Sequence, residues 1–290
     1  MLRSVPPIGM ETPVLPEMQR SRGHCRLSFD GSRPEQQLRL LDQTPPCRVL
    51  FPRPAKAGVH EAAIITTTGG MTGGDHITMT LAAQNDARIS VSTQAAEKIY
   101  RSTGDIAGIE VSIEVDETFA LEWMPQETIL FDRSRFDRNS VISIAGSSRL
   151  LACEMTVFGR ESHGETNPDL DFRDRWRIYR DGVLVWAENF GFQGMLADVQ
   201  QARARLHGAG AVATLVIAAP GLDEGLGDIR ELLDTPKSVT AAVTSFGDMA
   251  VCRIAGRRAL DVRNALMSLW LMARQSSLDF GSRLPRVWSV

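Results

Sequence analysis

Between residues 76 and 115 apolar and polar side chains alternate with a period of two, which restricts the region to strands buried on one face. In His76-Ile77-Thr78-Met79-Thr80-Leu81 the apolar positions are Ile77, Met79 and Leu81. Arg88-Ile89-Ser90-Val91-Ser92 repeats the pattern, and Ile109, Val111, Ile113 and Val115 alternate with Glu110, Ser112, Glu114 and Asp116. Further strands are predicted at Arg26–Phe29, Ala63–Thr67, Thr128–Phe131, Arg149–Val157, Trp176–Arg180 and Val183–Ala187. Asp181-Gly182 between the last two signals a hairpin turn. No amphipathic helix longer than three turns is legible before residue 190, so the first two thirds reads as a sheet-rich body.

The last third changes character. Ala211–Ala218 suits a fully buried strand, Leu222–Leu233 has helical spacing and stops before Pro236, and Val239–Phe246 and Ala250–Ile254 return to strand patterning. The strongest helix runs from Arg257 to Gln275, with Ala259, Val262, Leu266, Leu269 and Ala273 on one stripe. Met267, Trp270 and Leu271 widen that stripe beyond what one sheet face needs. A helix wedged into its own core is the favoured explanation over a second contact; the chain is nevertheless expected to lean on its partners, because the stripe would otherwise be exposed. No internal repeat of fixed period is present.

Charge and cysteine usage exclude several classes. The 32 basic and 35 acidic residues leave a net charge of −3, which argues against a nucleic-acid binder. Only Lys56, Lys98 and Lys237 are lysine, so 29 of the 32 basic residues are arginine. Such an excess fits genomic bias or, physically, interfaces and bidentate carboxylate pairing. Residues 1–22 read as a disordered leader: the first twenty carry four prolines and no apolar run, unlike a signal peptide or membrane anchor. Gly208–Leu222 is too short and glycine-rich to span a bilayer. Cys25, Cys47, Cys153 and Cys252 are scattered, as expected of reduced, buried thiols in a cytoplasmic protein.

Common catalytic motifs fail on context. Gly69-Gly70-Met71-Thr72-Gly73-Gly74-Asp75 follows a strand but lacks the lysine of a phosphate loop, and Gly208-Ala209-Gly210-Ala211-Val212-Ala213 precedes a strand where a dinucleotide fingerprint would follow one. The two Gly-Gly pairs suit positive φ at a sharp connection, with Asp75 capping a backbone amide. The five histidines are too dispersed for a high-affinity metal cage, and no nucleophile elbow is present. What remains is polar residues in apolar strand context: Glu122 and Glu154, together with Asp75, Ser92, Thr93, Gln94 and Glu165. A buried carboxylate costs several kcal/mol unless paired or hydrated. An arginine partner and a water-filled internal passage both satisfy that requirement.

Several strings in fixed order resemble the urease accessory protein D family (UreD, also UreH). They are Thr67–Asp75 (TTGGMTGGD), Ser92–Arg101 (STQAAEKIYR), Leu121–Phe131 (LEWMPQETILF), Leu150–Glu154 (LLACE) with Gly159-Arg160 and Gly164-Glu165, and the closing Pro285-Arg286-Val287-Trp288. Met71 and Thr72 replace more usual aliphatic residues, and 195–255 matches loosely. The resemblance implies a mainly β fold of stacked or helically wound sheets with a few C-terminal helices, here a single domain over 23–290. It implies a cytoplasmic, non-enzymatic scaffold that binds the urease apoprotein and the F-type accessory protein (UreF), which recruits the GTPase (UreG), with no nucleic acid and no membrane. No cofactor is expected to bind tightly; nickel passes in transit. Carried over residue by residue, it puts forward Asp75, Ser92, Thr93, Glu154 and Glu165 as lining of a nickel passage, with Glu122 and Gln126 beside them. Scattered carboxylates and hydroxyls suit transit, because the metal must be released. The competing class is a β-helical carbohydrate hydrolase using two of these carboxylates, which 6% aromatics and two tyrosines disfavour. A nucleotide-binding assembly factor is disfavoured by the missing lysine-bearing loop.

Overall fold

The computed structural model describes residues 19–32, 37–54, 57–116, 120–234 and 238–288. Its strands are β1 (Arg22–Asp30), β2 (Leu38–Gln43), β3 (Cys47–Leu50), β4 (His60–Thr66), β5 (His76–Gln84), β6 (Arg88–Thr93), β7 (Glu97–Ile99), β8 (Ala107–Val115) and β9 (Ala120–Met124). They continue as β10 (Thr128–Leu130), β11 (Arg135–Ile144), β12 (Arg149–Phe158), β13 (Asp169–Arg180), β14 (Val183–Met195), β15 (Ala211–Ala218), β16 (Val239–Ser245) and β17 (Met249–Gly256). Three helices accompany them: α1 (Leu196–Gln200), α2 (Leu222–Asp234) and α3 (Ala259–Ser276).

The alternating segments wind into a two-sheet coil. From β4 to β13 the chain crosses repeatedly between sheets: β5, β8, β11 and β13 join the first, and β4, β6, β9 and β12 the second. Strands from successive coils stack in parallel. The first sheet runs β14-β13-β11-β8-β5-β1-β2 and the second β16-β17-β15-β12-β9-β6-β4-β3, with short β10 beside β12 and β7 beside β10. The expected mainly β, wound architecture is therefore present. The coils are unequal in length: His76 lies beside Gly108, Ala107 beside Phe136 and Phe136 beside Phe172, separations of 32, 29 and 36 residues. Stacking needs matched strands and tolerates variable connections, so a solenoid forms without a repeat period.

Five strands escaped sequence patterning, for identifiable reasons. β9 is buried at every position, so it shows no alternation. β11 buries Phe136, Arg138, Ser140, Ile142 and Ile144, and the arginine and serine disguise its inward face. β2 is largely exposed, and β3 and β7 have only four and three residues. The Asp181-Gly182 hairpin is present with φ of 50° and 78°, the left-handed pair that a two-residue turn requires. Residues 1–18 of the expected leader lie outside the described residues, and Arg22 opens β1.

Two cores result. One fills the space between the sheets; the other lies between the outer face of the second sheet and helices α2 and α3. Helix α3 buries Val262, Ala265, Leu266, Leu269, Trp270 and Ala273. Trp270 meets Trp288 edge to face at 4.9 Å, so the chain's own C-terminal segment closes the wide stripe. A helix in its own core is the outcome, and the stripe supplies no reason for partner dependence. All four cysteines are free and buried, and burial pushes the Cys25 and Cys252 thiols up to about 12 and Cys47 to about 11. Among the described residues no helix is long and apolar enough to cross a membrane.

Candidate functional site

The stacking register places polar side chains inside the coil. Arg138 of β11 is paired directly with Asp174 of β13, and both point between the sheets. Its guanidinium grips Asp174 through Nε to Oδ1 (3.1 Å) and Nη2 to Oδ2 (2.6 Å). Nη1 crosses to the second sheet, lying 2.6 Å from Glu154 Oε2 of β12 and donating to Thr128 Oγ1 at 3.1 Å. Thr156 Oγ1 lies 3.5 Å from Nη2, and Trp123 Nε1 donates to Glu154 Oε1 at 3.3 Å. One buried cation thus faces two buried carboxylates. Burial is the largest influence on Glu154 and outweighs the attraction of Arg138, pushing its carboxyl up to about 7, with Asp174 adding repulsion.

That elevation has a pH consequence. The folded chain holds the Glu154 proton more tightly than the unfolded chain, so the resulting stabilisation is complete below about pH 4.5 and lost as pH rises through about 7. Relative to Glu154→Gln, wild type is expected to lose about 3 kcal/mol across that window. Urea midpoints of both proteins between pH 4.5 and 8 check this, and a pH-independent gap would refute it.

Glu122 faces the opposite way. It leaves β9 toward α3, and Glu122 and Arg274 are both 0% exposed. Arg274 Nη1 and Trp270 Nε1 both donate to this carboxylate, and Ser90 Oγ of β6 donates to Oε2 at 2.5 Å. The Arg274 guanidinium also lies 5.5 Å from the centre of the Phe280 ring. Ser92, two residues beyond Ser90, shares that side of the strand and is buried.

The remaining candidates sit at corners. Asp75 accepts from the backbone N–H of Ser21 (2.7 Å) and Thr72 (2.8 Å), the capping role expected of it. Thr93 Oγ1 accepts from the Gln126 N–H at 2.8 Å, and Gln126 Nε2 donates to the Val287 carbonyl at 2.8 Å. Arg263 of α3 reaches Gln126 Oε1 (2.7 Å) and Glu127 Oε2 (2.5 Å) while lying 4.2 Å from the Trp288 ring centre. Three matched strings therefore meet at one corner. Glu165 is held by Arg160, whose Nε and Nη2 both donate to it. The glycine pairs divide their roles: Gly70 and Gly74 take φ of 140° and 89°, whereas a Cβ on Gly73 would lie 2.1 Å from Ser102 Oγ.

Of the candidates, Glu122 and Ser92 share the outer side of the second sheet and Glu154 occupies the inner side. Asp75, Thr93 and Glu165 lie at separate turns. Arg138, Asp174, Thr128, Thr156 and Arg274 complete the buried clusters and were not singled out from sequence, because their partners are distant along the chain. Glu97, within the Ser92–Arg101 string, is a further carboxylate, half-buried. It accepts from Thr66 Oγ1 at 2.8 Å, and burial raises its pKa. It borders a cavity of about 130 Å³ that also touches Thr68, Gly69, Gly70 and Thr93. Among the described residues no group of three or more His, Cys, Asp or Glu is placed to hold a metal ion.

A wound two-sheet solenoid with paired charges in its interior and helices on one face defines the structural class. Its sequence matches the family described as UreD urease accessory protein over residues 21–289. Proteins called urease accessory protein UreD from Magnetococcus marinus and Chelativorans sp. are 35% and 36% identical to it over 277 and 273 residues. Each alignment covers 94% of this chain and 95% of the relative. The corresponding protein of Rhizobium etli is 34% identical, over 96% of this chain and 98% of its own length. The chain belongs to the UreD urease accessory protein family.

Proposed function

We propose that the chain is a non-catalytic, cytoplasmic scaffold of urease maturation. It binds the urease apoprotein and the F-type accessory protein, through which the GTPase is recruited, and lets nickel cross its interior as cargo. The observation that carries this reading is the buried cluster of Arg138, Glu154 and Asp174 inside a chain that matches the family almost end to end. With all three ionised the cluster has an excess negative charge, which a proton on Glu154 neutralises and a passing divalent cation can replace. Thr128 and Thr156 add hydroxyl oxygens without building a tight cage. The assembly part is supported by exposed apolar side chains on and just after the edge strands at the coil's first end, Leu38, Leu40 and Leu41 of β2, Leu50 of β3 and Phe51. The competing hydrolase reading loses its natural acid–base pair, because Glu122 and Glu154 face opposite sides of one sheet.

Nickel-dependent activation of apo-urease, with and without this chain, tests the reading. Activation is expected to need the chain and to fall several-fold with Glu154→Gln, both proteins being compared where they are fully folded, while its capture by apo-urease stays unchanged. Normal activation by that variant would leave Glu154 a purely structural residue. Asp75→Ala removes the acceptor of two backbone amides, so its activation is read against its own melting temperature.

A further inference from the structure

The coil's far end is open. β14 is the last strand of the first sheet and β16 the last strand of the second, and a cleft of about 690 Å³ lies between them. Arg253 of β17 and Glu188 of β14 form an ion pair that ties the two sheets together there. The floor is apolar, from Phe190, Phe192, Val199 and Val212. α2 packs on one side of β16, where Val239, Ala241 and Val243 join its apolar cluster. Thr240, Ala242 and Thr244 remain exposed, and the outer hydrogen-bonding edge of β16 pairs with no strand among the described residues.

That edge is unguarded. Terminal strands normally carry a charge, a proline or a bulge that blocks further pairing. β16 reads Val-Thr-Ala-Ala-Val-Thr-Ser, without charge or proline, and its register with β17 is unbroken over all seven residues. The surrounding charge is lopsided. Arg203, Arg205 and Arg257 line the cleft and the adjoining groove, all exposed, and none has an ion-pair partner among the described residues. Of the acidic residues there, Glu188 is held by Arg253 and Glu165 by Arg160, leaving Glu161 against three free arginines. On a chain of net charge −3 this is a local basic patch beside an open strand edge.

We propose that the free edge of β16 accepts an extended, acidic segment of a partner protein as an added strand. The backbone of that segment completes the ladder, its apolar side chains cover Phe190 and Phe192, and its carboxylates meet Arg205 and Arg257. A ten-residue peptide alternating valine with glutamate is the probe, with a lysine-for-glutamate counterpart as control. The glutamate peptide is expected to bind at least tenfold more tightly than the lysine one and to slow amide exchange across 239–245. The double variant Arg205→Glu/Arg257→Glu is expected to weaken it at least tenfold with an unchanged melting temperature. Three outcomes would overturn the proposal: no saturable binding up to millimolar peptide, binding that leaves the amides of 239–245 unprotected, or concentration-dependent protection without peptide. The last would assign the edge to a second copy of the chain.

Discussion

Replacing Arg138 by methionine is expected to cost about 3–5 kcal/mol of folding stability at neutral pH. The substitution keeps most of the volume and removes the one cation that reaches both Glu154 and Asp174. Two buried carboxylates are then left without their cation, and the cost of that exceeds the value of the ion pair itself. The defect has a distinctive pH dependence: acidification protonates Glu154, whose carboxyl burial already pushes up to about 7, so the variant should approach wild type as pH falls from 7.5 toward 5. Urea unfolding at those two pH values measures it. A loss below about 1 kcal/mol at pH 7.5 would mean that the cluster is hydrated and the arginine is dispensable to the fold. Because total domain stability is on the order of 5–15 kcal/mol, the expected loss threatens folding itself. Functional tests of this cluster are therefore better made with Glu154→Gln than by removing the arginine.

Arg274→Met is the second large effect, again about 3–5 kcal/mol, because Glu122 loses its cation in a place with no solvent access. Here the informative measurement is the double variant. Glu122→Leu with Arg274→Met replaces both charges by apolar groups and is expected to recover most of the loss. Strict additivity of the two single changes would show that the charges do not depend on each other. Trp270 and Trp288 report the result directly, since their edge-to-face contact sits beside the pair and near-ultraviolet circular dichroism follows it. What this pair achieves is registration: it ties α3 to β9 across 152 positions of sequence at one place along the helix.

These two arginines also give the basic composition a structural use. Arg138 and Arg274 are buried, Arg263 bridges Gln126 and Glu127 at the C-terminal corner, and Arg160 holds Glu165 and lies 3.9 Å from the centre of the Phe131 ring. Planar, forked guanidinium groups suit such multi-partner positions better than an ammonium does. Arg101 and Arg286, which lie within the matched strings, are exposed instead. Of the arginines within the matched strings Arg160 is held in place, whereas Arg138, Arg263 and Arg274 lie outside those strings.

Legibility tracked locality. Strands β5, β6 and β8, the Asp181-Gly182 hairpin and the long helix α3 were readable because their patterns are local and one face is apolar. β9 and β11 were not, the first because both faces are covered and the second because Arg138 stands where an apolar residue would mark the inward side. The polar candidates behaved in the same way. Asp75 caps the Thr72 amide of its own turn, as its glycine-rich context suggests, but its second donor, Ser21, lies 54 residues away, and the partners of Glu122 and Glu154 lie on other strands and another helix.

The sequence by itself therefore determined the strand-dominated architecture, the C-terminal helix and, through strings of near-fixed spacing, the family. Only the tertiary structure decided which side of a sheet each buried carboxylate faces, which arginine answers it, and that the last helix is covered by the chain's own end. The physical reason is that strand and helix periodicity is written over a few neighbouring residues. A buried charge is settled by groups that meet only after the coils have stacked, with unequal connections that leave no period in the sequence to announce them.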